Sequence, residues 1–253
     1  MESKFKLPTE VIELPSKGLL YPEENPLSKG TIEMKYMTTK EEDILTNQNY
    51  IRQGIVIDKL LQSMIVSDVN FEDLLIGDKD AIMIAARILG YGKDYTVLYE
   101  DPLTGDTQQY TVDLTTLKDK VLHKDLKKAK GVNEFAFTLP HSRTDITFRL
   151  MTHGLDKQID KELAGLKKIN PNVAAEMSTR LKYIITSAGG SRDQKDIREF
   201  VDNYLLAIDS RALREHMAEL TPGIDLTYTF EKDGYVEEGV DLPIGVDFFW
   251  PKS

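Results

Sequence analysis

The chain has 253 residues and a mass of 28.7 kDa, enough for one large domain or two of ordinary size. Its 42 acidic and 32 basic side chains give a formal charge of −10, which opposes general affinity for nucleic-acid phosphate. The absence of cysteine excludes disulfides, thiolate metal sites and cysteine nucleophiles, and fits a reducing compartment.

Apolar residues make up 41% and charged residues 29%, both near globular averages. Size scaling predicts roughly 11,000 Å² of folded surface for this mass, so roughly 70% of the unfolded surface is buried and a core needs no staples. No apolar run approaches the roughly 20 residues of a membrane helix. The strongest candidate, Ala81 to Leu89, contains Arg87. The start, Met1 to Lys6, lacks the apolar stretch of a secretory signal. Neither a membrane nor export on its own is expected.

Residues 1–30 read as an extended arm. Pro8, Pro15, Pro22 and Pro26 remove donors and bias their predecessors away from helix. The interleaved Val11, Ile12, Leu19 and Leu20 need something to pack on. Packing on the chain's own domain and crossing to a neighbour both remain open.

Residues 31–117 read as a helical domain with a hairpin. Alternation of Ile32, Met34 and Tyr36 predicts a strand. Thr39 with Glu42, or Thr38 with Glu41, forms a capping box. Ile57, Leu60, Leu61, Met64 and Ile65 form one helical stripe. Asp78 to Leu89 is apolar nearly all round and predicts a core helix ending at Gly90-Tyr91-Gly92. Tyr95, Val97 and Tyr99 alternate, and Tyr110, Val112 and Leu114 return as a hairpin.

Residues 118–133 read as a lysine-rich linker, with Lys118, Lys120, Lys124, Lys127, Lys128 and Lys130 set against Asp119 and Asp125. The segment lacks the interleaved aromatics that stack on bases, so a solvated linker is favoured over a nucleic-acid contact. Residues 134–253 predict a hairpin (135–139 with 146–150), an antiparallel helical bundle, and a C-terminal hairpin turning at Lys232-Asp233-Gly234. In the bundle, Leu155, Ile159, Leu163 and Leu166 form one stripe, and Val173, Met177, Leu181 and Ile184 form another. Ile197, Phe200, Val201, Tyr204, Leu205 and Ile208 form a third, capped by Ser191 with Gln194, and Ser210 caps a fourth helix. The C-terminal strand is expected to run from Val240 to Pro251. The fold class is α+β, two mostly helical blocks interleaved with three β-hairpins. The hairpins beginning at Tyr95 and Tyr228 echo one another, through shared strand propensity or a duplicated module.

Chemistry-bearing patterns are sparse. His123, His141, His153 and His216 include no i, i+4 pair and no HExxH motif, so no metal is expected. The run Ser187 to Ser191 lacks the Gly-Lys-Ser/Thr signature of a phosphate loop, and no GxSxG elbow occurs. No catalytic residues and no cofactor are expected. Phe248, Phe249, Trp250 and Pro251 lie at the chain end, where large aromatics need burial in their own core or a partner's pocket. The candidate protein-interaction residues are therefore Leu14, Pro15, Leu19, Leu20, Tyr21, Phe248, Phe249, Trp250 and Pro251.

The run Leu14 to Pro22, together with Met34 to Thr38, Glu41 to Leu45, Asp58 to Leu61, Asp73 to Asp78, Arg87 to Gly92 and Phe248 to Pro251, resembles the baseplate family of T-even-type contractile phages. The resemblance implies a non-enzymatic structural subunit of the baseplate hub, acting by protein contacts in tail assembly. The alternative it leaves open is an assembly chaperone absent from the mature virion. Implied partners are other baseplate and tail proteins and a second copy of the chain, not nucleic acid, membrane or metal. The implied location is the virion tail baseplate, reached by assembly in the host cytoplasm.

Overall fold

The computed structural model describes residues 7–100, 105–172, 174–232, 234–244 and 246–250. It is an α+β fold with small antiparallel sheets set among helices. Strand β1 (Thr9–Glu13) pairs with β2 (Thr31–Lys35), with Val11 opposite Glu33 and Ile12 opposite Ile32. Helix α1 (Thr39–Leu45) is capped by Thr38, whose side chain and Glu41 form the reciprocal box, which settles the two capping alternatives. Helix α2 (Gln48–Gln53) starts at Asn47, which accepts from the amides of Asn49 and Tyr50. Helix α3 (Val56–Met64) buries Val56, Leu60, Leu61 and Met64.

Helix α4 (Ile76–Tyr91) crosses the core and buries Ile82, Ile84, Ala86 and Leu89. It stops, as expected, within Gly90-Tyr91-Gly92, with Gly92 as its C-cap. At its other end Gly77 meets the Pro222-Gly223 loop: a Cβ there would sit 1.8 Å from the carbonyl oxygen of Pro222. Only glycine permits that approach. The buried Arg87 closes the C-terminal end, donating to the carbonyls of Gly92 (3.0 Å) and Asp94 (3.2 Å).

Strands β3 (Asp94–Glu100) and β4 (Thr107–Asp113) form the first predicted hairpin and bury Tyr95, Val97, Tyr99 and Val112. The segment expected to be a solvated linker is instead tied down. The Lys120 amide donates to Gly223 at 2.8 Å, the Asp225 amide to Lys118 at 2.7 Å, and the Gly131 amide to Leu19 at 2.6 Å. A short helix, α5 (Lys124–Lys128), buries Leu126. The lysines masked an apolar face formed by Leu117, Leu122, Leu126 and Ala129.

Strands β5 (Phe135–Thr138) and β6 (Asp145–Phe148) form the second hairpin, which gains a third strand, β7 (Ile185–Ala188), in the order β5-β6-β7. The bundle is therefore interrupted: α6 (His153–Ile169) and α7 (Glu176–Ile184) precede β7, and α8 (Gln194–Asn203) and α9 (Ala207–Leu220) follow it. Asp193, not Ser191, caps α8, and Ser210 lies inside α9. Strands β8 (Thr227–Lys232) and β9 (Tyr235–Asp241) form the last hairpin. Strand β9 begins at Tyr235 rather than Val240, and the chain beyond Asp241 ends in a 3-10 turn over Val246–Phe249.

One contiguous core runs through both helical blocks. They meet through backbone: the Ile76 amide donates to Met151 at 3.1 Å and the His153 amide to Leu74 at 2.7 Å. The two hairpins that echo in sequence pack on each other, with Tyr99 stacked on Phe230 (3.7 Å between centroids, 6° between planes) and Tyr110 on Tyr228 (5.7 Å).

Candidate interaction surfaces

The N-terminal residues proposed from sequence as contact points lie in the chain's own core. Leu14, Pro15, Leu20 and Tyr21 are buried, and Leu19 is half-buried against the core. The arm turns back after Leu14, whose amide donates to Gly30 at 2.8 Å. Gly18, at φ 76°, lies so close to Ser28 that a Cβ would stand 2.3 Å from its carbonyl oxygen.

This loop is locked onto the first turn of α4. The Ser16 amide and hydroxyl donate to Oδ1 and Oδ2 of Asp78 at 2.9 and 2.7 Å, and the Tyr21 hydroxyl donates to Oδ2 at 2.6 Å. The same hydroxyl accepts from the Leu75 amide at 2.9 Å. Burial pushes the Asp78 carboxyl above the usual range despite its three donors. Burial, and then the Asp78 carboxylate, push the Tyr21 hydroxyl up as well. Five groups are thus satisfied inside a buried site, which gives the arm its position.

The C-terminal aromatics are also internal. Phe248 and Phe249 are each 1% exposed, and Trp250 packs half-buried on the core. Phe248 meets Tyr95 edge-on at 5.0 Å, and the Tyr95 hydroxyl donates to the Pro243 carbonyl at 3.0 Å. Pro251 lies outside the described residues. Of the two open readings, burial in the chain's own core and burial in a partner's pocket, this conformation adopts the first, with arm and tail packed on the chain's own helices and hairpins.

A polar cluster joins the two helical blocks. Asp58 of α3 meets the Lys79 ammonium at 2.7 Å and Nε2 of His153 at 3.1 Å, and Nζ of Lys79 lies 3.1 Å from Nδ1 of His153. Burial works to raise the Asp58 carboxyl, but the His153 imidazole and the Lys79 ammonium beside it outweigh that and bring it down to about 2. His153 is 3% exposed, with Phe71 edge-on to its ring at 4.8 Å. The cluster ties α3 and α4 of the first block to the start of α6 in the second. His123 and His216 come to 6.3 Å between centroids, a proximity that sequence spacing did not show. Among the described residues no three His, Asp or Glu side chains form a group that would hold a metal. No helix among them is long and apolar enough to cross a membrane.

What the chain presents outward is different from what sequence periodicity suggested. Helix α8 ends at Asn203, and the break at Tyr204 to Leu206 turns the apolar stripe out of the core. Tyr204 is 62% exposed, with Leu206 and Ile208 about half exposed beside it. These three were missed because Tyr204 and Ile208 continue the α8 stripe in sequence; Leu206-Ala207 carries no conventional cap that would have announced the break. Scattered apolar exposure is normal, but three large side chains within five residues form a patch. A second exposed element is β1, where Thr9, Glu10, Val11 and Glu13 all lie on the surface. A groove of about 540 Å³ between β4 and β8 is lined by Tyr110, Thr111, Asp113, Thr227 and Thr229 among others.

No curated protein and no solved structure matches the chain. A family model described as T4 bacteriophage base plate protein matches residues 10–250. That span takes in both helical blocks, every strand from residue 10 onward and residues 10–30 of the arm, so the chain belongs to the T4 bacteriophage base plate protein family.

Proposed function

We propose that the chain is a non-enzymatic structural subunit of the central hub of a contractile-tail baseplate. It is assembled in the host cytoplasm and held in the virion by contacts with other baseplate and tail proteins. The observation that carries this reading is the apolar corner at Tyr204, Leu206 and Ile208, three large side chains exposed within five residues of a family member. The buried polar clusters support the non-enzymatic part, since Asp58, Asp78 and Glu41 are each held by the chain's own donors.

The test is a phage carrying Leu206→Asp with Ile208→Asp. The isolated variant is expected to melt like the parent, because both side chains are already solvated, while tail assembly falls at least about tenfold, the loss of one interfacial anchor. Unchanged assembly with unchanged melting would remove the corner from the contact surface.

A further inference from the structure

We propose that β1 is a dimerisation strand, whose open edge pairs antiparallel with β1 of a second copy about a two-fold axis at Val11. The inference goes beyond the baseplate reading and stands or falls separately from it.

The open edge follows from hydrogen-bond parity. The Tyr36 amide donates to Pro8 and the Leu14 amide donates to Gly30, so the even-numbered residues of β1 turn their backbone groups toward β2. Thr9, Val11 and Glu13 then direct their N–H and C=O groups away from it. Among the described residues nothing blunts that edge. Pairing with β2 runs through all five residues without a bulge, no lysine lies on β1, and the only neighbouring proline, Pro8, is of the parity that faces β2.

The strand is also under-anchored. Ile12 is its only side chain even partly buried, and Val11 is 67% exposed. Strand β3, whose outer edge is likewise unpaired by another strand, places Tyr95, Val97 and Tyr99 in the core. Ordering five residues costs roughly 1–2 kcal/mol each, and a two-stranded ribbon is marginal in water. A further strand on β1 supplies what its side chains do not.

Sequence selects a second copy as the occupant. With Val11 opposite Val11, every outward residue finds a partner: Thr9 faces Glu13, and Glu13 faces Thr9. Glu10 falls opposite Ile12, so no two carboxylates are directly apposed. A slip of two residues one way sets Glu10 against Glu10. A slip the other way sets Thr9 against Pro15, which has no N–H. The pairing is isologous and closes at a dimer, because the other edge of β1 is taken by β2. The strands alone bury little area, so the dimer is weak, with a dissociation constant on the order of 10 µM or above.

Sedimentation equilibrium of the full chain at graded concentrations tests this. A monomer–dimer equilibrium is expected for the parent. Val11→Pro removes only an outward donor, and Val11→Lys sets like charges on the two-fold while facing Glu33 within its own hairpin. Each is expected to weaken dimerisation at least about tenfold without lowering the melting temperature. Because the chain has no cysteine, mild oxidation of Val11→Cys should give a covalent dimer, and Ile12→Cys should not. A parent that stays monomeric up to about 1 mM overturns the proposal, as does a Val11→Lys variant that still dimerises like the parent. Should Val11→Pro fail to fold, the lysine and cysteine variants decide.

Discussion

The Tyr21 hydroxyl donates to the Asp78 carboxylate across 2.6 Å, tying the N-terminal arm to the first turn of α4 inside the core. A segment whose proline content suggests a tether is thereby part of the chain's own interior. Tyr21→Phe leaves the Leu75 amide without its acceptor and Asp78 with one donor fewer. The loss is expected to be about 1–3 kcal/mol, read as a lower urea midpoint at unchanged m-value.

The pH dependence of stability carries two opposed signatures. Burial works to raise the Glu41 carboxyl, but Lys35, Ser63 and Thr38 hydrogen-bond to it and hold it down to about 2. A depressed folded value means stability present above about pH 4.3 that drains as pH falls toward 2. Glu41→Gln should flatten this acid limb of the urea midpoint. Asp78 is shifted upward, so its native form binds the proton more tightly than the unfolded chain, and stability falls as pH rises above about 3.9. Asp78→Asn should remove that decline, measured in the same titration.

Gly77→Ala is expected to cost about 3 kcal/mol or more, because its Cβ would sit 1.8 Å from the Pro222 oxygen and backbone must move. Gly54→Ala is the contrast. Nothing lies within 4 Å of a Cβ there, so its cost comes only from φ 69° and should be about 1 kcal/mol. Thermal melting of the two variants checks the ranking.

Removing residues 248–253 separates adhesive from structural aromatics. Phe248 and Phe249 fill the core beside Tyr95, and Phe249→Ala alone should cost about 3–5 kcal/mol. The truncated chain is expected to lose melting temperature and tail incorporation together. Lost incorporation with unchanged melting would make the aromatics partner contacts instead.

Much of the fold was legible because periodicity and capping agreed. The α3 stripe, the Thr38–Glu41 box and the Tyr95 hairpin each rest on local signals that tertiary packing left intact. The rest was set by contacts distant in sequence. Strand β7 is four residues long and exists because β6 offers it an edge, so no local pattern announced it. The fate of Ser16 and Tyr21 depended on Asp78, more than fifty positions away, which nothing in the arm encodes. The exposed corner was hidden for the converse reason: Tyr204 and Ile208 fit a helical stripe that the chain breaks before using. Fold class and family could be read from sequence, whereas the direction each apolar side chain faces could not.

Quantitative mass spectrometry of purified virions and of isolated tails decides whether this family member is a lasting part of the baseplate. The chain is expected in both, at a fixed ratio to the other baseplate proteins. Its presence in assembly intermediates but absence from finished virions would contradict the structural role and assign it to assembly alone.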